Sequence, residues 1–279
     1  MASGRSYAER RLTAILTEAY DETDGKYDPC HRRRIGYRTA LAVQFAARGN
    51  RVVVAGRRRD ALDAVVYSQH GIERAVLDID STAAIGPFVK ELILRRPTLN
   101  VVIHSAGIMR YERVTKAGFS TDVAEATITT NLLGTIRLTT ALLPHFLSRP
   151  EATIVTISSG LAFVPLAMTP TYCATKAAIH SYSQSLRYQL KDTNIRVVEI
   201  APPYVQSELM GVRQASDPMA MPLDDYIAET LAILEANPDA TEVLVDRVRP
   251  QRFAEARGEY DAFFNAYNDR AMAARANEW

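Results

Sequence analysis

The sequence has little that would suit a secreted or membrane-spanning protein. Its 279 residues include only two cysteines, Cys30 and Cys173, too few for a disulfide framework. No apolar run approaches the roughly 20 residues of a membrane-spanning helix. Charged residues also interrupt the N-terminal stretch where a signal peptide would be apolar. These absences predict a protein of the reducing cytoplasm that does not enter a membrane.

An excess of one charge is also missing. The 33 Lys and Arg residues nearly balance the 32 Asp and Glu residues, which gives a net charge of +1. Binding to nucleic acid or to an anionic membrane surface needs clustered positive charge, so we expect neither partner. The 47% of apolar residues suffices for one large core.

From Thr39 onward, apolar runs typical of buried strands alternate with segments of helical pattern. Parallel strands need crossover connections, usually helices, so this alternation predicts a parallel sheet with helices on both faces. We therefore predict a single doubly wound α/β domain of Rossmann type over residues 39–250. The predicted strands are 51–56, 74–79, 100–107, 152–160, 194–202 and 242–245, and the clearest helices are 39–48, one from about Ser81, 131–147 and 171–191.

Residues 251–279 are predicted to be a helical tail. Its aromatic residues include a stripe spaced i, i+3, i+4, i+7, which is typical of one apolar helix face. This face predicts packing on the domain or on a second subunit, and a lid over a substrate is the alternative. The aromatic residues are Phe253, Tyr260, Phe263, Phe264 and Tyr267.

The most informative local pattern is Tyr172-Cys-Ala-Thr-Lys176. Residues four apart lie on the same face of a helix, so the phenol and the ammonium group are neighbours. A nearby cation stabilises phenolate and lowers the pKa of a tyrosine from about 10 towards neutrality, where it can exchange a proton. The pattern alone arises by chance on many helices, but Ser159 at a predicted strand end and Asn131 at a helix start accompany it.

These motifs resemble those of the short-chain dehydrogenase/reductase family. The segments TNLLG, TISSG, YCATK and IAPPYVQSEL match the layout of that family. The stretch SSGLAFVPLA together with YCATKAAIHSYSQSLR is more similar still to its DltE-like oxidoreductase branch. The resemblance is specific from about Thr39 to Glu208 and weaker towards the C-terminus.

The resemblance implies a role for each of four residues. Tyr172 is the general acid/base, and Lys176 assists it and holds the nicotinamide ribose. Ser159 hydrogen-bonds the reacting oxygen, and Asn131 holds a water in a proton relay. Two hydroxyl donors stabilise the charge that grows on a carbonyl oxygen while the cofactor supplies a hydride. We expect an NAD(P)-dependent oxidoreductase that interconverts a carbonyl and an alcohol; the alternative is a non-catalytic NADP-sensing or interaction protein on this fold.

The end of the strand at 51–56 indicates which cofactor is used. Arg57, Arg58 and Arg59 stand where an acidic residue would favour NAD. A guanidinium there suits a 2′-phosphate through charge-assisted hydrogen bonds, which predicts NADP(H); a solvated basic helix start is the alternative. No metal is expected. The resemblance implies further cofactor contacts at Asp78, Ala106, Gly107, Tyr172, Lys176, Pro202, Val205 and Ser207.

Two segments depart from the pattern of the family. Its Asn-Asn-Ala-Gly is His104-Ser-Ala-Gly107 here, and its Pro-Gly is Pro202-Pro203. The small Ala-Gly pair that lets backbone approach the cofactor is retained. We interpret His104 as a strand-end histidine with satisfied hydrogen bonds, and a catalytic role is the alternative.

A glycine-rich turn before the first predicted helix is lacking. Such a turn lets the backbone reach the pyrophosphate at a helix N-terminus, but residues 25–38 read GKYDPCHRRRIGYR. Pro29 would interrupt a central strand. Back-translated and read one base later, residues 20–38 can encode M-x-K-L-T-G-N-T-I-L-V-T-G-G-x-S-G-I-G, a buried strand followed by the family's turn. We therefore interpret residues 1–38 as aberrant, with 20–38 out of frame and the preceding residues as upstream sequence.

The alternative is an authentic insertion in which residues 12–16, LTAIL, supply the first strand. On the out-of-frame interpretation, a chain made as written lacks its central strand and its pyrophosphate turn, and it binds NADP(H) poorly. Codons that forbid the glycines in the shifted frame would contradict this interpretation.

The substrate is expected to be small and apolar. Segments 107–109, 163–166 and 206–222 are predicted to form the lip of its site. Three methionines in the last segment, Met210, Met219 and Met221, would give a flexible apolar surface, and ordinary helix packing is the alternative.

The resemblance also implies self-association as a homodimer or homotetramer through helices 132–148 and 172–190.

Overall fold

The computed structural model describes residues 13–17, 37–68 and 71–275. The described strands are β1 (Thr13–Thr17), β2 (Arg51–Gly56), β3 (Ile72–Val76), β4 (Val101–His104), β5 (Ala152–Ile157), β6 (Ile195–Ile200) and β7 (Glu242–Val243). These strands form one parallel sheet in the order β3-β2-β1-β4-β5-β6-β7.

The described helices connect these strands. They are α1 (Tyr37–Ala47), α2 (Arg59–Ser68), α3 (Thr82–Arg95), α4 (Asp122–Ile128), α5 (Gly134–Leu147), α6 (Pro170–Gln189), α7 (Val212–Ser216), α8 (Leu223–Ala236), α9 (Arg249–Phe253) and α10 (Tyr260–Ala274). A π-helical turn covers Thr129–Leu133, and 3₁₀ turns cover Gly160–Ala162 and Asp246–Val248. None of the helices in the described ranges is long and apolar enough to cross a lipid bilayer.

An apolar core lies on each face of the sheet. On one face α1, α2 and α8 pack on the strands, with Leu62 fully buried. On the other face α3, α5 and α6 pack on them, with Leu142 fully buried. Strands covered on both faces read as continuous apolar runs, and all six residues of β5 are buried. The doubly wound α/β fold predicted from the sequence is confirmed.

Strand β1 lies inside the sheet, between β2 and β4. Ile15 of this strand pairs with Val53 of β2 on one side and with Val102 of β4 on the other, and it is fully buried. This is the strand of the authentic-insertion alternative, so the expectation that the chain as written lacks a central strand is wrong. Residues 18–36, which include most of the segment interpreted as out of frame, lie outside the described residues. The frame shift itself stays a prediction.

Several strands end earlier than the sequence predicts. Strand β4 ends at His104 and β5 at Ile157, where the apolar pattern suggested 107 and 160. The residues beyond each end are buried, but they turn away from the ladder to form loops. Strand β3 begins at Ile72 rather than at 74 and ends before Asp78, whose carboxylate accepts a bond from the backbone N–H of Asp80 and so bends the chain. Each loop starts at the same edge of the sheet.

Candidate active site

The carboxyl ends of three neighbouring strands, β4, β5 and β6, meet at one edge of the sheet. The backbone N–H of Ser158 donates to the carbonyl of Ile200 at 2.9 Å, and that of Gly160 donates to Pro202 at 2.8 Å. These bonds hold the loop after β5 beside the loop after β6. Ligands of doubly wound sheets bind at this edge, so the fold places the candidate site here.

Tyr172 and Lys176 lie in the first two turns of α6. Both are buried, with 6% and 5% of their surface exposed. The Lys176 ammonium lies 5.6 Å from the centroid of the Tyr172 ring, and its Nζ donates to the carbonyl of Ile157 at 2.7 Å. The helix therefore brings the phenol and the cation together and ties the cation to the end of β5.

Ser159 lies two residues beyond Ile157, in extended backbone before the 3₁₀ turn. Its Oγ accepts a bond from the backbone N–H of Leu161 at 3.1 Å. A hydroxyl that accepts one bond still has its own hydrogen to donate. Leu161 packs in the same apolar cluster as Tyr172, so the serine turn lies against the start of α6.

Asn131 lies in the π-helical turn between α4 and α5, a distortion often found at functional sites. Its Oδ1 accepts from the backbone N–H of Ile108 at 2.8 Å, and its Nδ2 donates to the Ile108 carbonyl at 3.0 Å and to Thr175 Oγ1 at 3.1 Å. Thr175 in turn donates to the carbonyl of Tyr172 at 2.8 Å. The asparagine amide thus fastens the loop after β4 to the turns of α6 that carry Tyr172 and Thr175.

Two supporting residues were missed by the sequence analysis. Buried Glu112 accepts bonds from the backbone N–H of Thr171 at 3.0 Å and from its hydroxyl at 2.8 Å. A carboxylate at a helix N-terminus is stabilised there by the helix dipole, so Glu112 fixes the turn that carries Tyr172. Glu112 is 59 residues away in sequence, so no local pattern signals it. Thr175, by contrast, lies within the Tyr172–Lys176 motif, so the sequence could have indicated that its hydroxyl faces the same site.

The predicted adenosine contacts lie at the ends of β2 and β3. The Arg57 guanidinium lies 3.6 Å from a carboxylate oxygen of Asp80, whose other oxygen accepts from the Thr130 hydroxyl at 2.8 Å. Arg58 is exposed immediately before α2, and Asp78 is half-buried at the bend after β3. The two arginines and Asp78 therefore share the edge of the sheet that carries Tyr172.

The predicted nicotinamide contacts lie in the loops after β4 and β6. Ala106 and Gly107 are buried. The side-chain amide of Gln214 donates to the Val205 carbonyl at 2.9 Å and to the Ser207 hydroxyl at 3.0 Å. Pro202 is buried where the chain leaves β6. These residues lie in loops that leave the same edge of the sheet as the loop that carries Ser159.

His104 is only partly satisfied, which corrects its interpretation from the sequence. Its Nε2 forms a 2.8 Å hydrogen bond with the Thr139 hydroxyl. Its Nδ1 is buried and has no hydrogen-bond partner among the described residues. Burial lowers the pKa of His104 to about 3, so the ring is neutral at physiological pH.

Only some of the residues predicted to form the lip of the substrate site lie near Tyr172. Met109, Leu166 and Met210 pack with Tyr172. Met221 instead pairs with Val205 and packs in the core on the α8 face, because the chain beyond β6 doubles back there. Met219 is exposed. Phe163 does not lie at the predicted lip either, because its ring contacts the His180 ring and the Arg252 guanidinium.

The aromatic stripe forms one side of α10. Tyr267 packs against the cluster around Tyr172, and Asn268 accepts from the backbone N–H of Ala167 at 2.7 Å and donates to Pro165 at 3.1 Å. The tail therefore packs on its own domain, as the first of its two interpretations predicts. Phe253 lies outside this stripe, in α9.

Comparison with known protein families identifies the chain. The family model described as short chain dehydrogenase matches residues 33–217. The chain belongs to the short-chain dehydrogenase family. It is thus an oxidoreductase of the NAD(P)-dependent dehydrogenase/reductase class, and the DltE-like resemblance is confirmed by the relatives described next.

Curated relatives of this short-chain dehydrogenase are similar over most of its length. An uncharacterized oxidoreductase DltE of Bacillus subtilis (strain 168) is 32% identical over 231 residues, which is 82% of this chain and 90% of the relative. An uncharacterized oxidoreductase of Staphylococcus aureus (strain MW2) is 28% identical over 77% of this chain and 93% of its own.

Solved structures share the fold at lower identity. A short chain dehydrogenase from Burkholderia cenocepacia J2315, in complex with NADP, superposes with a TM-score of 0.70 at 20% identity, over 91% of this chain and 98% of that one. Serine dehydrogenase from Escherichia coli gives 0.66 at 24% identity, over 83% and 96%. At such identities the likeness concerns the fold alone.

Proposed function

We propose that the protein is an NADP(H)-dependent reductase or dehydrogenase that interconverts a carbonyl and an alcohol through Tyr172, Lys176, Ser159 and Asn131. The observation that carries the proposal is the placement of the Lys176 ammonium. It lies 5.6 Å from the Tyr172 ring and is bonded to the carbonyl two residues before Ser159. One cation thereby joins the proton-exchanging phenol to the turn that carries the second hydroxyl.

The described residues fit the two ends of a dinucleotide. Arg57 and Arg58 provide guanidinium donors at the end of β2, a chemistry that suits a 2′-phosphate. Asp78 provides acceptors for an adenine amino group, and Ala106 and Gly107 leave room for backbone to approach the nicotinamide ribose. A bound nicotinamide supplies or accepts the hydride.

Tyr172 is proposed to carry the proton. The nearby ammonium stabilises the phenolate, so the phenol can donate its proton to a developing alkoxide or accept one from an alcohol. Ser159 donates its remaining hydrogen to the same oxygen. Two donors directed at one oxygen in a site shielded from water stabilise negative charge there more strongly than water does.

Asn131 is proposed to be a positioning residue as well as a member of the proton relay. Its side-chain amide already bonds Ile108 and Thr175, so a relay water would bind its backbone carbonyl. That carbonyl accepts a 3.2 Å bond from the Thr135 hydroxyl and has a second lone pair. In this proposal the water binds the backbone of the π-helical turn.

The substrate in this proposal is a small, mainly apolar carbonyl compound or alcohol. Met109, Leu166 and Met210 provide apolar surface beside Tyr172. NADPH oxidation should be followed over a panel of small ketones and aldehydes, with NADH in parallel and Tyr172→Phe and Ser159→Ala as variants. Turnover with NADPH that both variants lose supports the proposal. Cofactor binding by calorimetry without turnover on any compound would instead favour a non-catalytic binding protein.

We also propose that the protein self-associates through α5 and α6, as a homodimer or homotetramer. Leu147 at the end of α5 and Tyr188 near the end of α6 are large and exposed, at 48% and 71%. Light scattering coupled to gel filtration tests this. A Tyr188→Glu variant should lower the measured mass if that end of α6 lies in the contact, and a monomeric wild type would contradict the proposal.

A further inference from the structure

The C-terminal helix covers the proposed substrate site. Ala271 belongs to the apolar cluster of Tyr172, and Tyr267 and Met272 pack against it. Asn268 fastens the helix to the loop 165–167 through two hydrogen bonds. The helix therefore packs directly on the apolar cluster that contains Tyr172.

Arg275 lies directly beyond this helix, between the loops after β4 and β6. Its Nη2 donates to the Tyr204 hydroxyl at 3.3 Å, and its guanidinium lies 5.8 Å from the Tyr204 ring centroid. Its charge also interacts with the Tyr111 phenol, which packs against the cluster of Tyr172. The guanidinium thus lies between two phenols at the rim of the proposed site.

The two phenols do not neutralise this cation. Tyr204 donates to Asp217 at 3.0 Å, and burial together with this bond raises the pKa of Tyr204 to about 12, so it remains a neutral phenol. Burial by itself lowers the pKa of Arg275, but Tyr111 and Tyr204 more than offset this. Across the described residues, no carboxylate lies within 4 Å of the Arg275 guanidinium.

The Arg275 guanidinium is not needed to hold α10 in place, because other residues anchor the helix. Asn268 holds the middle of the helix, and the Arg213 guanidinium donates to the carbonyl of Ala274 at its end. A second guanidinium that faces two phenols is better matched to a ligand. Guanidinium groups bind carboxylates with two parallel hydrogen bonds and select them strongly over neutral groups.

We propose that Arg275 binds a carboxylate on the substrate, so that the natural substrates are oxo or hydroxy acids in which a short apolar segment separates the acid from the reacting carbon. This inference rests on the proposed carbonyl/alcohol activity. The apolar segment lies against Met109, Leu166 and Met210, and Arg275 is a specificity-determining residue beyond the catalytic set. The site is built from three separate parts of the chain, the loops after β4 and β6 and the end of α10.

The test compares acids with their methyl esters in NADPH-dependent reduction. Oxobutanoate, oxopentanoate and oxohexanoate with the ketone one carbon from the far end, and the ester of each, vary the distance between carbonyl and charge. For at least one length, wild type should prefer the acid by about 10-fold or more in kcat/KM, and Arg275→Met should lower the value for that acid by about 10- to 100-fold. The same variant should change the ester by less than about 3-fold.

Arg213→Met is the matched control, because it removes an anchor of α10 but leaves the guanidinium between the phenols. The Arg213→Met variant should change kcat/KM for the acid and for its ester by the same factor. Equal use of acids and esters by wild type, or equal loss of both in Arg275→Met, overturns the inference while leaving the carbonyl activity intact. If no carbonyl compound is reduced, the proposed function fails instead. Calorimetry with the hydroxy acids and NADP⁺ then decides: binding that Arg275→Met abolishes supports the acid site, and binding that it leaves unchanged overturns it.

Discussion

The buried imidazole of His104 makes the stability of the protein depend on pH. The ring is 3% exposed, with one nitrogen bonded to Thr139 and the other without a partner among the described residues. Its pKa is lowered to about 3 in the folded protein by burial, whereas an unfolded chain has the ordinary value of about 6.5. Between these values the unfolded state binds one more proton than the folded state, so stability falls as pH falls.

The size of this effect follows from the two pKa values. Each pH unit well inside the window costs about 1.4 kcal/mol, so lowering the pH from 7.5 to 4.5 removes about 3 kcal/mol of stability through this one group. A His104→Asn variant has no titrating group at this position, so it should not show this pH-dependent loss of stability. Other groups titrate in both proteins, so the difference between the two losses isolates the histidine.

Urea unfolding of wild type and His104→Asn at pH 7.5 and pH 4.5 measures these losses. Wild type should lose about 3 kcal/mol more than the variant between the two pH values. Thr139→Val is the control, because it removes the bonded partner of the ring but keeps a buried imidazole, and it should retain the steep pH dependence. Equal losses in wild type and His104→Asn would refute the burial argument.

Three further perturbations test the cofactor site, the serine turn and the N-terminal segment. Arg57→Asp should lower kcat/KM with NADPH by about 10- to 100-fold and change it far less with NADH, and equal effects would contradict the 2′-phosphate assignment. Gly160→Ala places a Cβ against Gln251 Oε1 and 2.9 Å from Val248 Cγ2, so the free energy of unfolding should fall by about 1–3 kcal/mol, and Gln251→Ala should restore part of the loss. Replacement of residues 20–38 by their shifted-frame reading, with alanine at the unspecified positions, should tighten NADPH binding in calorimetry. Micromolar binding of NADPH by the unaltered chain would contradict the out-of-frame interpretation.

The placement of Tyr172, Lys176 and Ser159 at one end of the fold could be predicted because its signals are local. Tyr172 and Lys176 are one helical turn apart, and Ser159 follows a continuous apolar strand. These patterns need no knowledge of distant contacts. The parallel sheet followed in the same way from runs of apolar residues separated by helical segments.

Other features depend on contacts between distant parts of the chain. Glu112 caps α6 from 59 residues away, and Arg275 reaches Tyr204 across 71 residues, so neither has a signature in its own neighbourhood. Met221 was assigned to the lip because methionines suit binding surfaces, but the chain folds back and buries it in the core. The central strand was misplaced because Thr13–Thr17 is short and no glycine turn follows it directly.

The central claim is that the phenol of Tyr172 exchanges the proton that accompanies hydride transfer. Stopped-flow measurement of a single turnover, with wild type and Tyr172→Phe each saturated with NADPH and mixed with the best carbonyl compound of the panel, tests it most directly. We expect the variant to bind NADPH as wild type does but to oxidise it about 10²- to 10⁴-fold more slowly. A variant that oxidises NADPH at the wild-type rate would contradict the claim.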